Sequence, residues 1–249
     1  MTGVDVHTHL ADDRFDPLIL ERGERLGIGT FLCSNIGAYV HHPSPDDVHA
    51  MNRILARELA RFPEHLKGYC YVNPRGGARS LDDLRRCVED DGMIGIKLWV
   101  ATFADDPLVD PFLEYAAERR LLVLTHAWRK TVGQLTYEST ADHVAAVAAR
   151  HPHVQFVMAH LGGQADTALE AIRGHRNVAV DTSGTIIGAG EVALAVERLG
   201  VDRVVFGSDL HHACLDANVG KILGAGLSDG ALDAVLGGTA SRWLESVAA

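Results

Sequence analysis

Short apolar, β-branched runs alternate along the chain with longer stretches whose apolar residues recur every three or four positions. The runs centre on residues 4–7, 29–33, 68–72, 94–98, 122–125, 155–159, 178–181 and 203–206. They are near-continuous in apolar side chains rather than alternating, as expected of parallel strands covered on both faces. Helical patterns lie between them at 45–62, 80–89, 111–119, 141–150, 164–173 and 190–199. In the first of these, Val48, Met51, Leu55, Leu59 and Phe62 share one face. A last helical stretch, 229–247, is expected under or beside the sheet. Strand alternating with helix predicts βαβ units and a parallel sheet. Eight strands favour closure into a single (β/α)8 TIM barrel over an open doubly wound sheet. Residues 1–249 read as one domain, with no linker or low-complexity segment.

Length and charge narrow the picture. The 249 residues are close to the ~250 typical of one such barrel. The formal charge is −10, from 23 basic and 33 acidic residues. That balance suits solubility and offers no electrostatic track for a nucleic acid, which is not an expected partner. No window approaches the ~20 apolar residues of a membrane span. The four cysteines, Cys33, Cys70, Cys87 and Cys214, form no Cys-x-x-Cys pair, and no secretory segment is expected ahead of the first strand. They are expected as reduced thiols of a cytoplasmic protein.

The chemistry lies where strands end, which in a barrel is the catalytic face. The first strand ends in His7-Thr8-His9, and the fourth contains Lys97. The fifth ends in His126, the sixth in His160, the seventh in Asp181 and the eighth in Asp209. In an open sheet these groups spread along one edge, whereas a closed barrel gathers them at one point. His7 and His9, two apart on a strand, share a face and can chelate one metal. His126 can add a third nitrogen and Asp209 a carboxylate. Zinc suits such ligands, and one ion per chain is favoured over two. Asp209 can also take a proton from water, and His160 can act as acid or base or bind metal. Each group alone has a plainer reading: a chance His-x-His, a core histidine, a turn, a helix cap. Their occurrence together, in order and at strand ends, carries the inference. Lys97, in an otherwise apolar strand, needs a partner. The candidates are an ion pair with Asp5 or Asp209, contact with an anionic substrate, or carboxylation to bridge a second metal.

These segments resemble the amidohydrolase superfamily, most closely its amidohydrolase-related branch. The matching stretches are Val4-Asp5-Val6-His7-Thr8-His9, Gly95-Ile96-Lys97-Leu98, Thr125-His126-Ala127, Met158-Ala159-His160-Leu161-Gly162-Gly163, Asp181-Thr182-Ser183-Gly184 and Phe206-Gly207-Ser208-Asp209. The tail 236–244 is similar to the family's closing helix, with Thr239 where asparagine is commoner. The resemblance implies that His7, His9, His126 and Asp209 hold the main metal. It makes His160 catalytic, or a second-metal ligand together with Lys97. It implies a metal-dependent hydrolase of a small molecule, with non-oxidative decarboxylation of an unsaturated or aromatic acid as the alternative. A TatD-like deoxyribonuclease ranks below both, because Lys97 stands where that group commonly carries a glutamate. A homodimer is a further expectation by analogy. Substrate contacts are expected from Trp99, Trp128, Arg129 and Arg75, all of which follow strands, with an arginine fork gripping a carboxylate. Lys130 reads as an ordinary surface residue, and His211-His212 as a possible addition to the mouth.

Overall fold

The computed structural model describes residues 2–37 and 40–248. Eight parallel strands pair in sequence order: β1 (Gly3–His9), β2 (Ile28–Ser34), β3 (Leu66–Tyr71), β4 (Gly95–Leu98), β5 (Leu122–Thr125), β6 (Gln155–Met158), β7 (Val178–Asp181) and β8 (Val204–Val205). The sheet returns on itself. Val6 N–H donates to the Phe206 carbonyl at 3.0 Å, and Asp209 N–H to the His7 carbonyl at 2.8 Å. The fold is the expected (β/α)8 barrel, with helices α1 (Leu18–Leu26), α2 (Pro45–Arg61), α3 (Ala78–Glu89), α4 (Asp110–Arg119), α5 (Ala141–Arg150), α6 (Ala165–Ile172), α7 (Ala189–Leu199) and α8 (Leu215–Leu223) around it.

Local chemistry sets the helix ends. In α2, the Ser44 hydroxyl accepts from Asp47 N–H at 3.1 Å while Asp47 accepts from Ser44 N–H at 2.8 Å, with Pro45 opening the helix. Its buried stripe of Val48, Met51, Leu55 and Leu59 is the one the periodicity marked. Two helices were not foreseen, α1 and α8. Both are nine residues long, and each carries an internal glycine, Gly23 or Gly220. A run so short shows barely two turns of period, too few to stand out from a loop.

Two apolar layers result. One lies between the strands and the surrounding helices. The other fills the barrel with Val4, Val6, Leu32, Tyr69, Leu122, Leu124, Val157 and Val205. The tail continues as α9 (Asp229–Asp233), a π-turn at Ala234–Gly238 and α10 (Thr239–Ala248). Ala240, Trp243 and Leu244 of α10 pack against the interior layer and plug one end of the barrel. Each fully buried apolar side chain in these layers contributes ~1.5–3 kcal/mol. No helix among the described residues is long and apolar enough to cross a membrane.

Candidate metal centre at the barrel mouth

Opposite the plug, the strand ends surround a cavity of about 370 Å³. His7, His9, Lys97, His126, His160 and Asp209 all line it, from β1, β4 and the connections after β5, β6 and β8. Strict alternation from Val6 aims His7 and His9 outward. A register shift between Asp5 and Thr8 re-aims the strand, so Val6 joins the interior while both imidazoles enter the mouth. Gly207 lets β8 pass close by, since a Cβ there meets the His7 Cβ at 3.0 Å and the Asp181 Cβ at 3.2 Å. His160 does not lie on a strand. It sits in a tight turn after β6 with φ near 60°.

His7, His9 and Asp209 face one another. The two Nε2 atoms are 3.1 Å apart, and Asp209 Oδ1 is 3.6 Å from one and 3.3 Å from the other. His160 completes a tight group with His7 and Asp209, the ligand atoms lying within 4.8 Å of one another. His126 stands one imidazole further out, its Nδ1 3.1 Å from His160 Nε2. The structure thus draws His160 more closely into the cluster than His126.

Each imidazole has an oxygen behind it. His7 Nδ1 lies 2.8 Å from Asp181 Oδ2 and His9 Nδ1 2.8 Å from the Ser34 hydroxyl. His126 Nε2 lies 2.9 Å from Glu138 Oε1, and His160 Nδ1 2.9 Å from the Ser183 hydroxyl. Such oxygens fix tautomer and ring angle in metal sites. The Asp181 carboxylate means that His7 donates through Nδ1, leaving the Nε2 lone pair to face the cluster.

The protonation states favour a cation. Burial pushes His9 down to about 3 and pulls His126 and His160 down as well, so these imidazoles are neutral at pH 7. Burial alone would raise Asp209, but His160, His9 and His7 hold it well below the usual carboxylate range. Asp181 is likewise driven up by burial and held down more strongly by His7. Neutral imidazoles and ionised carboxylates are the forms that bind metal. Lys97 supplies a stand-in: its Nζ lies 2.8 Å from His7 Nε2, an ammonium facing the lone pair that a metal would take. Burial lowers Lys97 to about 8 against the pull of Asp209 and Asp181. The donor set therefore fits a divalent cation held by His7, His9 and Asp209 with His160 and His126.

Several expectations need correction. Asp5 does not pair with Lys97; its Oδ1 accepts from Ser208 N–H at 2.9 Å and His7 N–H at 3.1 Å, and burial pushes its carboxyl up to about 7. Arg75 does not line the cavity. Its Nε donates to the Ala101 carbonyl at 3.0 Å and its guanidinium lies over the Tyr137 ring. Arg129 turns outward to an ion pair with Asp142. Its neighbour Lys130, read as surface, lines the cavity instead and pairs with Glu138 at 2.6 Å. Trp99 and Trp128 do form walls, and Trp128 lies 4.9 Å from the His160 ring. Gly163 makes room for that indole, because a Cβ there would stand 2.3 Å from it. His212 lines the cavity, while His211 lines a neighbouring groove. Glu138, Ser183 and Ser34 were not singled out. Asp181 was marked by its place at a strand end and within a family-like stretch, with no role given to it. Away from the mouth, Cys70, Asp83 and Cys87 also gather, but Arg53 already lies 3.0 Å from Cys87 Sγ and supplies that cluster's cation.

Known proteins match this architecture. No curated protein matches the chain by sequence. A crystal structure of 2,6-dihydroxybenzoate decarboxylase from Rhizobium superposes with a TM-score of 0.80 at 16% identity, covering 98% of both chains. A dihydroxybenzoic acid decarboxylase from Polaromonas sp. JS666, with bound manganese and 2-nitroresorcinol, gives 0.79 at 13% identity over 98% of this chain and 96% of that one. A 4-oxalomesaconate hydratase from Rhodopseudomonas palustris gives 0.69 at 16% identity over 99% and 97%. At such identities the likeness establishes the barrel alone. The family assignment rests on sequence: residues 4–245 match the family described as amidohydrolase, and the chain belongs to it.

Proposed function

We propose that this protein is a metal-dependent decarboxylase of a small, planar, carboxylate-bearing molecule. The observation that carries the reading is the make-up of the cavity: a cluster of metal-type donors beside the buried ammonium of Lys97, with a second ammonium at Lys130, between the indole walls of Trp99 and Trp128. Flat apolar walls suit an aromatic or conjugated ring, and the cations suit its carboxylate. The decarboxylases of similar architecture support the same direction. A divalent metal there supplies Lewis acidity that orients and polarises bound oxygens. Zinc fits the nitrogen-rich donor set, and the manganese bound in the Polaromonas structure makes manganese the competing identity.

The chain's own groups divide the remaining work. Lys97 and Lys130 hold the anion, and the tryptophans hold the ring. Asp209, kept ionised by the imidazoles around it, takes up a proton from the substrate or solvent and delivers it to the ring carbon. The bond from that carbon to the carboxylate breaks, its electron pair stays on carbon and bonds to the proton, and carbon dioxide leaves. Hydrolysis is the second reading, favoured by the same ionised carboxylate, which can take a proton from water. A homodimer in the cytoplasm is the proposed setting.

The test is carbon dioxide release from a panel of hydroxybenzoates and unsaturated acids, run beside lactones and amides, on protein loaded with zinc or manganese. Carbon dioxide from at least one acid, lost in the His7→Ala/His9→Ala double variant, is the expected result. Turnover of lactones or amides with no acid decarboxylated would replace this reading with hydrolysis.

A further inference from the structure

We propose that Glu138 is the positioning residue that sets His126 toward the metal and, through the same carboxylate, shapes the wall of the cavity. The inference rests on the metal reading above and holds for either reaction. Glu138 lies on the connection between β5 and α5 and is 2% exposed. Its Oε1 is 2.9 Å from His126 Nε2 and 2.6 Å from Lys130 Nζ. Its Oε2 accepts from Leu135 N–H and from Gln134 Nε2, each at 2.9 Å. Four donors thus surround one carboxylate.

An ionised carboxylate only accepts, so the proton of a neutral His126 must lie on Nε2. Nδ1 is then bare and turned inward, where it stands 3.1 Å from His160 Nε2. That is the state a ligating imidazole needs, and a carboxylate behind the ring is the common means of holding it. The other bonds of Glu138 reach cavity walls. Lys130 and Leu135 both line the cavity, and Gln134 also donates to the Trp128 carbonyl at 2.7 Å. One side chain therefore ties the aim of an imidazole to the placement of the residues that would meet substrate.

The test is metal affinity by chelator competition, with zinc and with manganese, on wild type, Glu138→Gln and Gln134→Ala. In Glu138→Gln the amide oxygen still serves Leu135 and Gln134, while its NH2 faces a nitrogen that already carries a proton. The expected loss of affinity is about 10- to 100-fold, with thermal unfolding showing that the metal-free variant is folded. Gln134→Ala removes a brace without touching His126 and is expected to bind metal as wild type does. Should Glu138→Gln fail to fold, Glu138→Asp, which shortens the arm by one methylene, is expected to lose affinity in the same direction. Wild-type affinity in Glu138→Gln, or an equal loss in Gln134→Ala, would overturn the inference and leave the metal reading standing. A wild-type protein that binds neither ion would overturn the metal reading itself.

Discussion

Asp181→Asn is a near-isosteric change at the base of the site. Asp181 is fully buried, and its two oxygens have different partners. Oδ1 accepts from His160 N–H at 2.9 Å, from Ser183 N–H at 3.0 Å and from the Ser183 hydroxyl. Oδ2 faces only His7 Nδ1, at 2.8 Å. In the variant, the donors on the first side keep the amide oxygen there. The amide NH2 then points at His7 Nδ1. The bond to residue 181 survives only if Nδ1 becomes the acceptor, which sends the imidazole proton to Nε2, the atom that faces His9 and Asp209; the alternative, Nδ1–H donating to the Ser183 hydroxyl at 3.0 Å, leaves the amide NH2 unpaired. A protonated nitrogen cannot ligate. Reversing that tautomer gives up a bond to a charged group, ~1.5–3 kcal/mol, and each ~1.4 kcal/mol is a factor of ten. Metal affinity should fall about 10- to 100-fold, the range usual for such partners. Chelator competition reads it, with circular dichroism establishing that the variant is folded. Full affinity in a folded Asp181→Asn protein would show that Asp181 does not orient His7, or that His7 is not a ligand.

Two further outcomes follow from burial and charge elsewhere in the fold. Burial pushes the Cys33 thiol up to about 12 and Cys70 well above its usual range, Cys87 is also buried, and Cys214 is exposed. Ellman's reagent should therefore find one reactive thiol in the native protein and all four in denaturant; three fast-reacting thiols in the native state would contradict the packing between β3 and α3. Although burial raises it, Asp110 is brought below the ordinary carboxylate range by Arg150 at 2.9 Å and His151 at 2.8 Å. With the folded value depressed, its stabilisation is full above the unfolded carboxylate range and disappears as pH falls through the folded value. Thermal unfolding should show wild type above Asp110→Asn by ~0.2–1 kcal/mol at neutral pH, a gap that closes on acidification. A gap independent of pH would refute the ion-pair account.

Where the sequence was informative, a short-range rule was enough. Continuous apolar runs located the strands, and the groups closing them had to converge once the sheet closed. That is why His7, His9, Lys97, His126, His160 and Asp209 all reach one cavity. The misplaced arginines mark the limit of that rule. Position after a strand says that a residue is near the mouth, not which way its side chain leaves the backbone. Arg129 and Lys130 are adjacent, yet one turns to Asp142 at the surface and the other to Glu138 beside the cavity. Glu138 and Ser183 carry no period and close no strand, and Ser34 closes β2 but is neither an imidazole nor a charged group. They matter only because the fold brings each within 3.0 Å of an imidazole nitrogen.

The backbone at the mouth is strained in a way the sequence does not announce. His160, Leu161 and Asp209 all have φ between 48° and 61°, a region that costs a residue other than glycine ~1–3 kcal/mol. Two of the three carry groups that face the metal cluster, and Leu161 is the residue between His160 and the glycine turn that admits Trp128. Such conformations persist only where the surroundings over-determine them. Here the surroundings are local hydrogen bonds: His160 N–H donates to Asp181 Oδ1 at 2.9 Å, and Asp209 N–H donates to the His7 carbonyl at 2.8 Å. The carboxylate that backs His7, and the strand that carries His7, therefore also hold the two turns that present His160 and Asp209.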